Sequence, residues 1–459
     1  MTGILEKVVR GEHARLVPVV ADTSREERAV SVVLAAFRGV EAFREAALRS
    51  LGQRVGKRAR FTALTEIVFE DDSHPRKKGK GGGNDRPDGL LVLDTTRQEW
   101  TALLEGKIGN DVVSEDQLKR YVADAKARGV NAVITITNQF VARPDHHPVK
   151  LSKRDAKGVE LYHWSWMYLL TEATLLLEEE AVGSADQRFL LEEVVRYLRH
   201  DTSGVTGFRS MNPEWKDLVT QVRDRVTLSK NAEEVRNTVS AWHQEQRDLG
   251  LILSRKVGRS VRLKLPREHR KNADKRLEDD ADVLVREHRL TCTFDVPDAA
   301  SDIEVAADIA RRSIFATMRL DAPRDKKSTK ARVNWLLRQL KDAEADGIQV
   351  RALRRGRGQH LKASLAELRE DPRHLEDPER SSPPSAFEVF YSLDLAGKFT
   401  GNRVFIDRLE EAVPHFYEQV GQRLRAWVAP PPQIQSRDTA EADGEFGDDE
   451  QAGRSWAGD

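Results

Sequence analysis

Asp88, Glu105 and Lys107 are the residues in this chain whose types and spacing could do chemistry together. Asp88 opens the apolar run D-G-L-L-V-L, and Glu105 and Lys107 sit inside a second one, W-T-A-L-L-E-G-K-I. Along a β-strand, residues two apart point to the same face, so Glu105 and Lys107 project together about 7 Å apart. An aspartate on the adjacent strand can reach the same spot. Two carboxylates and one ammonium on a rigid sheet make a hard-cation site beside a proton-handling group, which is chemistry for hydrolysing a phosphodiester. The competing reading is a structural ion pair, since 33% of the chain is charged and such triplets arise by chance. Context favours a buried site. Leu103, Leu104 and Ile108 flank the pair, Leu90 and Val92 share the face of Asp88, and Leu91 and Leu93 fill the other. Carboxylates and lysines are seldom buried unless paired or bound to a metal.

The elements that must position these residues are legible nearby. Two strands with apolar residues on both faces imply a sheet packed between helices. Ser114 to Gln117 reads as an S-x-x-Q capping box opening a helix. Leu118, Tyr121, Val122 and Ala125 follow at helical spacing, and Gly129 closes it. The β-prone run at 130–137 then completes a strand–helix–strand crossover, expected to be right-handed. Spacing alone gives Gln117 a capping role and Tyr121 a core role. Their separation by one helical turn also lets them act together.

With these residues in view, the stretch from Glu66 to Tyr121 resembles the PD-(D/E)xK restriction-endonuclease-like nuclease superfamily, in the subgroup with a Q-x-x-x-Y helix motif. The matching residues are Glu66, Pro87-Asp88, Glu105-x-Lys107 and Gln117-x-x-x-Tyr121. The resemblance covers about residues 25–205 and implies an α-β-β-β-α-β core. Its helix falls at about 28–50 and its first three strands at about 60–70, 87–95 and 100–108. The second helix falls at 114–128 and the last strand at 130–137. It further implies that Asp88, Glu105 and the Gly106 carbonyl hold Mg2+ or Mn2+ and that Lys107 orients or helps deprotonate the attacking water. Gln117 and Tyr121 would touch substrate or support the site. Glu66 would supply the first acid, with Glu41 and Glu45 on the preceding helix as rivals. Y-H-W-S-W at 162–166 also resembles the closing elements of some members.

Length and composition bound the remainder. A chain of 459 residues is expected to form two or three domains. Its net charge is zero, so affinity for nucleic acid must come from local patches. The single Cys292 argues against a disulfide framework. No secretory segment or membrane span is visible, and a cytoplasmic protein is the expectation.

Three regions are expected: a nuclease-like α/β domain at 1–205, an α+β domain at 206–430, and a disordered acidic tail at 431–459. Residues 200–213 read as a linker and residues 215–249 as helical. The Gly/Lys-rich stretch at 74–86 reads as a hairpin connection or a cationic arm over the site. Two basic runs, 254–276 and 351–362, suit contact with a phosphate backbone. In the first, Val261, Leu263 and Leu265 alternate with Arg262 and Lys264 as in a strand with a basic face. His146-His147 reads as loop. The tail carries eight acids and two bases over 437–459 and could compete with nucleic acid for the basic patches. The expected activity is metal-dependent phosphodiester hydrolysis, with DNA favoured as partner over RNA and a homodimer left open. A non-catalytic binding or regulatory protein on the same fold is the alternative, as is a nuclease acting on RNA.

Overall fold

The computed structural model describes residues 3–18, 24–56, 58–69, 86–95, 98–356, 360–380, 382–429 and 431. The chain is mixed α/β, built on two sheets. The first has the spatial order β1-β2-β3-β4-β5-β6. Its strands are β1 (Val8–His13), β2 (Arg60–Phe69), β3 (Gly89–Asp94), β4 (Glu99–Gly106), β5 (Ala132–Thr137) and β6 (Glu160–Ser165). β1 to β4 pair antiparallel and β4, β5 and β6 pair parallel. Between β1 and β2 lie α1 (Arg25–Gly39) and α2 (Glu41–Ser50). α3 (Glu115–Arg128) connects β4 to β5, and the single turn α4 (Lys153–Ala156) precedes β6. α5 (Trp166–Glu178) and α6 (Ala185–Arg199) follow.

Residue alternation explains why helices cover both faces. Leu91, Leu93, Ala102 and Leu104 point into one core with α1, α2, α5 and α6. Leu90, Val92 and Leu103 point into a second core with Leu118, Tyr121 and Val122 of α3. The helix expected over 28–50 is two helices that break at Val40, whose backbone is extended. α6 packs into the break: a Cβ on Gly39 would meet Leu190 Cδ1 at 2.8 Å. β1 lies outside the expected elements.

The second sheet has the order β12-β11-β13-β10-β9-β8-β7, all antiparallel. It is preceded by α7 (Trp215–Arg223) and α8 (Glu233–Val257), so the helical stretch expected from 215 is interrupted between them. Then come β7 (Arg262–Leu263), α9 (Arg267–Lys271), α10 (Ala273–Glu287), β8 (Arg289–Asp295), β9 (Ile303–Asp308) and β10 (Ser313–Asp321). α11 (Thr329–Gln339), β11 (Ile348–Leu353), β12 (Lys362–Ser364), α12 (Leu365–Glu370), β13 (Ala386–Asp394) and α13 (Asn402–Phe416) complete it. A core running from Met211 to Leu424 holds this half together, separate from the two cores of the first sheet.

The basic strand expected at 261–265 is only two residues long. α8 runs on to a left-handed cap at Gly258, and Pro266 starts α9, leaving little extended chain between them. The linker at 200–213 is fastened at several points: Asn138 Nδ2 donates to the Gly204 carbonyl at 2.8 Å, and the Met211 amide donates to the Asn402 carbonyl at 3.2 Å. Residues 74–85 and the acidic stretch 437–459 lie outside the described residues. Among the described residues no helix is long and apolar enough to cross a membrane.

Candidate functional site

The register of the antiparallel pair β3–β4 sets Gly89 opposite Leu104. Continued by one residue, it sets Asp88 opposite Glu105, and opposite residues share a face. Asp88 Oδ2 accepts a hydrogen bond from the Gly106 amide at 2.8 Å, which ties the end of one strand to the next. Val30 of α1 fills the space over Gly106: a Cβ there would meet Val30 Cγ2 at 2.5 Å. Glu105 and Lys107 do meet, with Lys107 Nζ 2.9 Å from Glu105 Oε1. Glu105 is buried, 3% exposed.

α3 supplies the rest of the carboxylate's surroundings. Gln117 Nε2 donates to Glu105 Oε1 at 2.9 Å, and the Tyr121 hydroxyl donates to Glu105 Oε2 at 2.6 Å. Gln117 Nε2 also lies 3.1 Å from the Tyr121 hydroxyl oxygen. The capping box is therefore only half formed. Ser114 Oγ accepts from the Gln117 amide at 3.2 Å, but the Gln117 side chain turns inward instead of back to Ser114. Gln117 caps with its backbone and serves Glu105 with its side chain.

The third acid is one that the sequence reading passed over. Glu26, in the first turn of α1, has Oε2 at 3.0 Å from Lys107 Nζ, and its Oε1 accepts from the Ile108 amide at 3.4 Å. The expected helix began at 28 and left this turn out; the S-R-E-E sequence at Ser24 is the helix-start signal that could have found it. Glu66 lines the same cleft but pairs with Arg10 at 3.4 Å and stays 44% exposed. Its backbone is left-handed, φ 51°, where the β1–β2 pairing slips register. Glu41 and Glu45 are elsewhere: the Glu41 amide bonds Gln187, and Glu45 pairs with Arg49 on α2. Trp166, from the W-S-W motif, donates its indole N–H to the Lys107 carbonyl at 2.8 Å and holds that end of the strand.

Burial and charge set the protonation of these groups. Burial first, and then Glu105, push the Asp88 carboxyl well above the usual range. Burial also raises Glu105, opposed by Lys107 and the Tyr121 hydroxyl. For Lys107, burial would lower the pKa, but Glu105, Glu26 and Asp88 outweigh it and hold the ammonium above the ordinary lysine range. Tyr121 is raised by burial and by Glu105, so it remains a hydrogen-bond donor. Asp88, Glu105 and Glu26 set three carboxylates against one ammonium. When all are ionised they leave two negative charges, the charge of one divalent cation.

That balance is the test of whether a cation fits. Among the described residues the surrounding cleft, about 460 Å³, is lined by six carboxylates and four lysine or arginine side chains. Among the described residues no three His, Cys, Asp or Glu side chains form a metal-holding group. A cation held by two carboxylates, the Gly106 carbonyl and water suits Mg2+, which usually keeps several waters. Asp88 and Glu105 are the two carboxylates that such an ion would need.

β5 and β6 extend the polar row. The parallel register aligns Glu105 with Thr135 and Thr135 with His163. Thr135 Oγ1 lies 2.8 Å from His163 Nδ1 and 2.9 Å from His147 Nε2. Burial lowers both imidazoles, His147 to about 4 and His163 to about 3, so both are neutral at neutral pH. His146 turns away to the Arg270 carbonyl. Comparison with models of protein families, with curated proteins and with solved structures finds no match to this chain.

Proposed function

We propose that this chain is a metal-dependent nuclease hydrolysing phosphodiester bonds, with DNA favoured over RNA. One observation carries the reading. A buried Glu105 beside Asp88 is bonded at once by Lys107, Gln117 and Tyr121, an arrangement richer than a structural ion pair requires. The α-β-β-β-α-β order around it supports a restriction-endonuclease-like core.

Asp88 and Glu105, with the Gly106 carbonyl, would hold Mg2+ or Mn2+. When bound, the ion supplies a lowered water pKa and charge neutralisation at the phosphate. The chain's own residues do the rest. Lys107, held as an ammonium by Glu105 and Glu26, would position the attacking water or a phosphate oxygen. Gln117 and Tyr121 fix the carboxylate plane of Glu105, and fixed second-layer donors of this kind commonly change metal affinity or activity 10–100-fold. Glu26 anchors Lys107 from the opposite side. Trp166 fixes the backbone from which Lys107 projects.

The test is incubation of the purified chain with a panel of end-labelled single- and double-stranded DNA and RNA in Mg2+, in Mn2+ and in EDTA. Cleavage in either metal that EDTA abolishes supports the proposal, and the panel identifies the preferred nucleic acid. An inert protein across the panel, still binding nucleic acid, would favour the non-catalytic alternative.

A further inference from the structure

We propose that a second cleft, on the outer face of the seven-stranded sheet, binds the phosphate backbone of nucleic acid without reading bases. It is independent of the carboxylate site and does not rest on the nuclease reading. The cleft, about 750 Å³, lies between β10, β11, β13, the segments after β10 and β11 and the segment before β13. Among the described residues six arginines line it, against two carboxylates, Asp321 and Glu388, an excess of four positive charges. The whole chain is neutral, so this charge is concentrated here and not a general property of the surface.

Strand register builds the cationic floor. Arg319 on β10 pairs opposite Glu388 on β13, Glu388 opposite Arg351 on β11, and Arg351 opposite Lys362 on β12. The row therefore reads Arg, Glu, Arg, Lys across four neighbouring strands on one face. Strands are about 4.8 Å apart, so the basic side chains form a band roughly 14 Å wide. Glu388 is used up holding Arg351, with Oε2 at 2.8 Å from Nη1, and Arg351 lies over the Phe390 ring at 5.3 Å.

The remaining arginines divide into anchors and free ends. Arg332 donates to the Lys326 and Pro384 carbonyls and Arg354 to the Ser382 and Leu375 carbonyls, which shapes the wall. Arg354 is 5% exposed and belongs to the wall, its Nη1 buried without a partner among the described residues. Arg319, Arg324 and Arg355 are exposed and form no ion pair among the described residues. Three free guanidiniums on one open cleft match phosphate oxygens. Among the described residues the lining carries no Phe, Tyr or Trp on which a base could stack, so the contact is to backbone and not to sequence.

The experiment measures binding of a labelled oligonucleotide duplex to the full chain in EDTA, where cleavage is off, across a salt series. Two triple variants are compared: Arg319→Ala/Arg324→Ala/Arg355→Ala in the cleft, and Arg259→Ala/Arg262→Ala/Arg267→Ala in the other basic run. Both remove the same charge from exposed positions, so bulk electrostatics is matched. The proposal expects the cleft triple to weaken binding about 10- to 100-fold at low salt and to flatten the log–log salt slope by roughly 2 to 3, with the other triple near wild type. Equal losses in both triples, or no loss in the cleft triple, would overturn it. So would a cleft triple that loses only tripolyphosphate binding, since the ligand would then be a small polyphosphate.

Discussion

Gln117→Ala separates a residue that caps a helix from one that serves a catalytic carboxylate. The substitution leaves the backbone amide that bonds Ser114 Oγ, so the helix start is kept. It removes the Nε2 donor from Glu105 Oε1 and from the Tyr121 hydroxyl. A hydrogen bond to a charged acceptor contributes about 1.5–3 kcal/mol. Glu105 keeps Lys107 and Tyr121, so a stability loss of about 1–2 kcal/mol is expected. The loss of activity should be larger, about 10–100-fold, because the plane of Glu105 is no longer fixed. Ser114→Ala is the control: it removes the cap, costs about 1 kcal/mol, and leaves Glu105 untouched. Denaturant unfolding and cleavage are measured on the same preparations of both variants. If Gln117→Ala loses no more rate than Ser114→Ala, the Gln117 side chain does not serve Glu105, and the reasoning about α3 fails.

Lys107→Ala is expected to lower cleavage by ~100-fold or more while costing ~1–3 kcal/mol of stability, since Glu105 and Glu26 lose a shared charged partner; cleavage near wild type would remove Lys107 from the mechanism. Gly106→Ala forces a Cβ to 2.5 Å from Val30 Cγ2, so it should cost about 1–3 kcal/mol, and Val30→Ala in the same chain should recover part of this; thermal unfolding of the single and double variants decides it. Asp248 is raised to about 6, mainly by burial, with the Phe208 amide and Arg255 pulling the other way. Its folded pKa exceeds its unfolded value of 3.8, so the native state holds the extra proton between the two. Stability from this group is complete below the lower value and is lost as pH rises through about 6, an effect on the order of 3 kcal/mol. Melting temperature against pH should lose this component in Asp248→Asn, and an unchanged profile would contradict the assignment.

What was legible in the sequence is what short-range pattern encodes. Apolar residues on both faces marked β3 and β4, the family resemblance placed β2, and the Ser114 and Gly129 signals placed α3 within a residue of its observed ends. Strand geometry also foresaw Glu105 and Lys107 meeting. Glu26 was not legible, because it reaches Lys107 through the packing of α1 across the strand ends, and no local spacing records that. Nor could the capping box be resolved, since S-x-x-Q is satisfied in sequence whether the side chain turns back to Ser114 or in to Glu105. The strand with a basic face failed for a related reason: alternation at 261–265 is real, but the cap at Gly258 and Pro266 leave room for only two paired residues. The basic cleft needed four strands in register, which only the folded sheet supplies.

The central claim is that Asp88 and Glu105 together hold a divalent cation. Titration of Mn2+ into the wild type and into Glu105→Gln, followed by the electron paramagnetic resonance of free Mn2+, tests it without reference to any substrate. The account predicts saturable binding to the wild type, competed by Mg2+, and binding weakened at least tenfold in Glu105→Gln. Equal Mn2+ binding by the two proteins, or none by either, would contradict it.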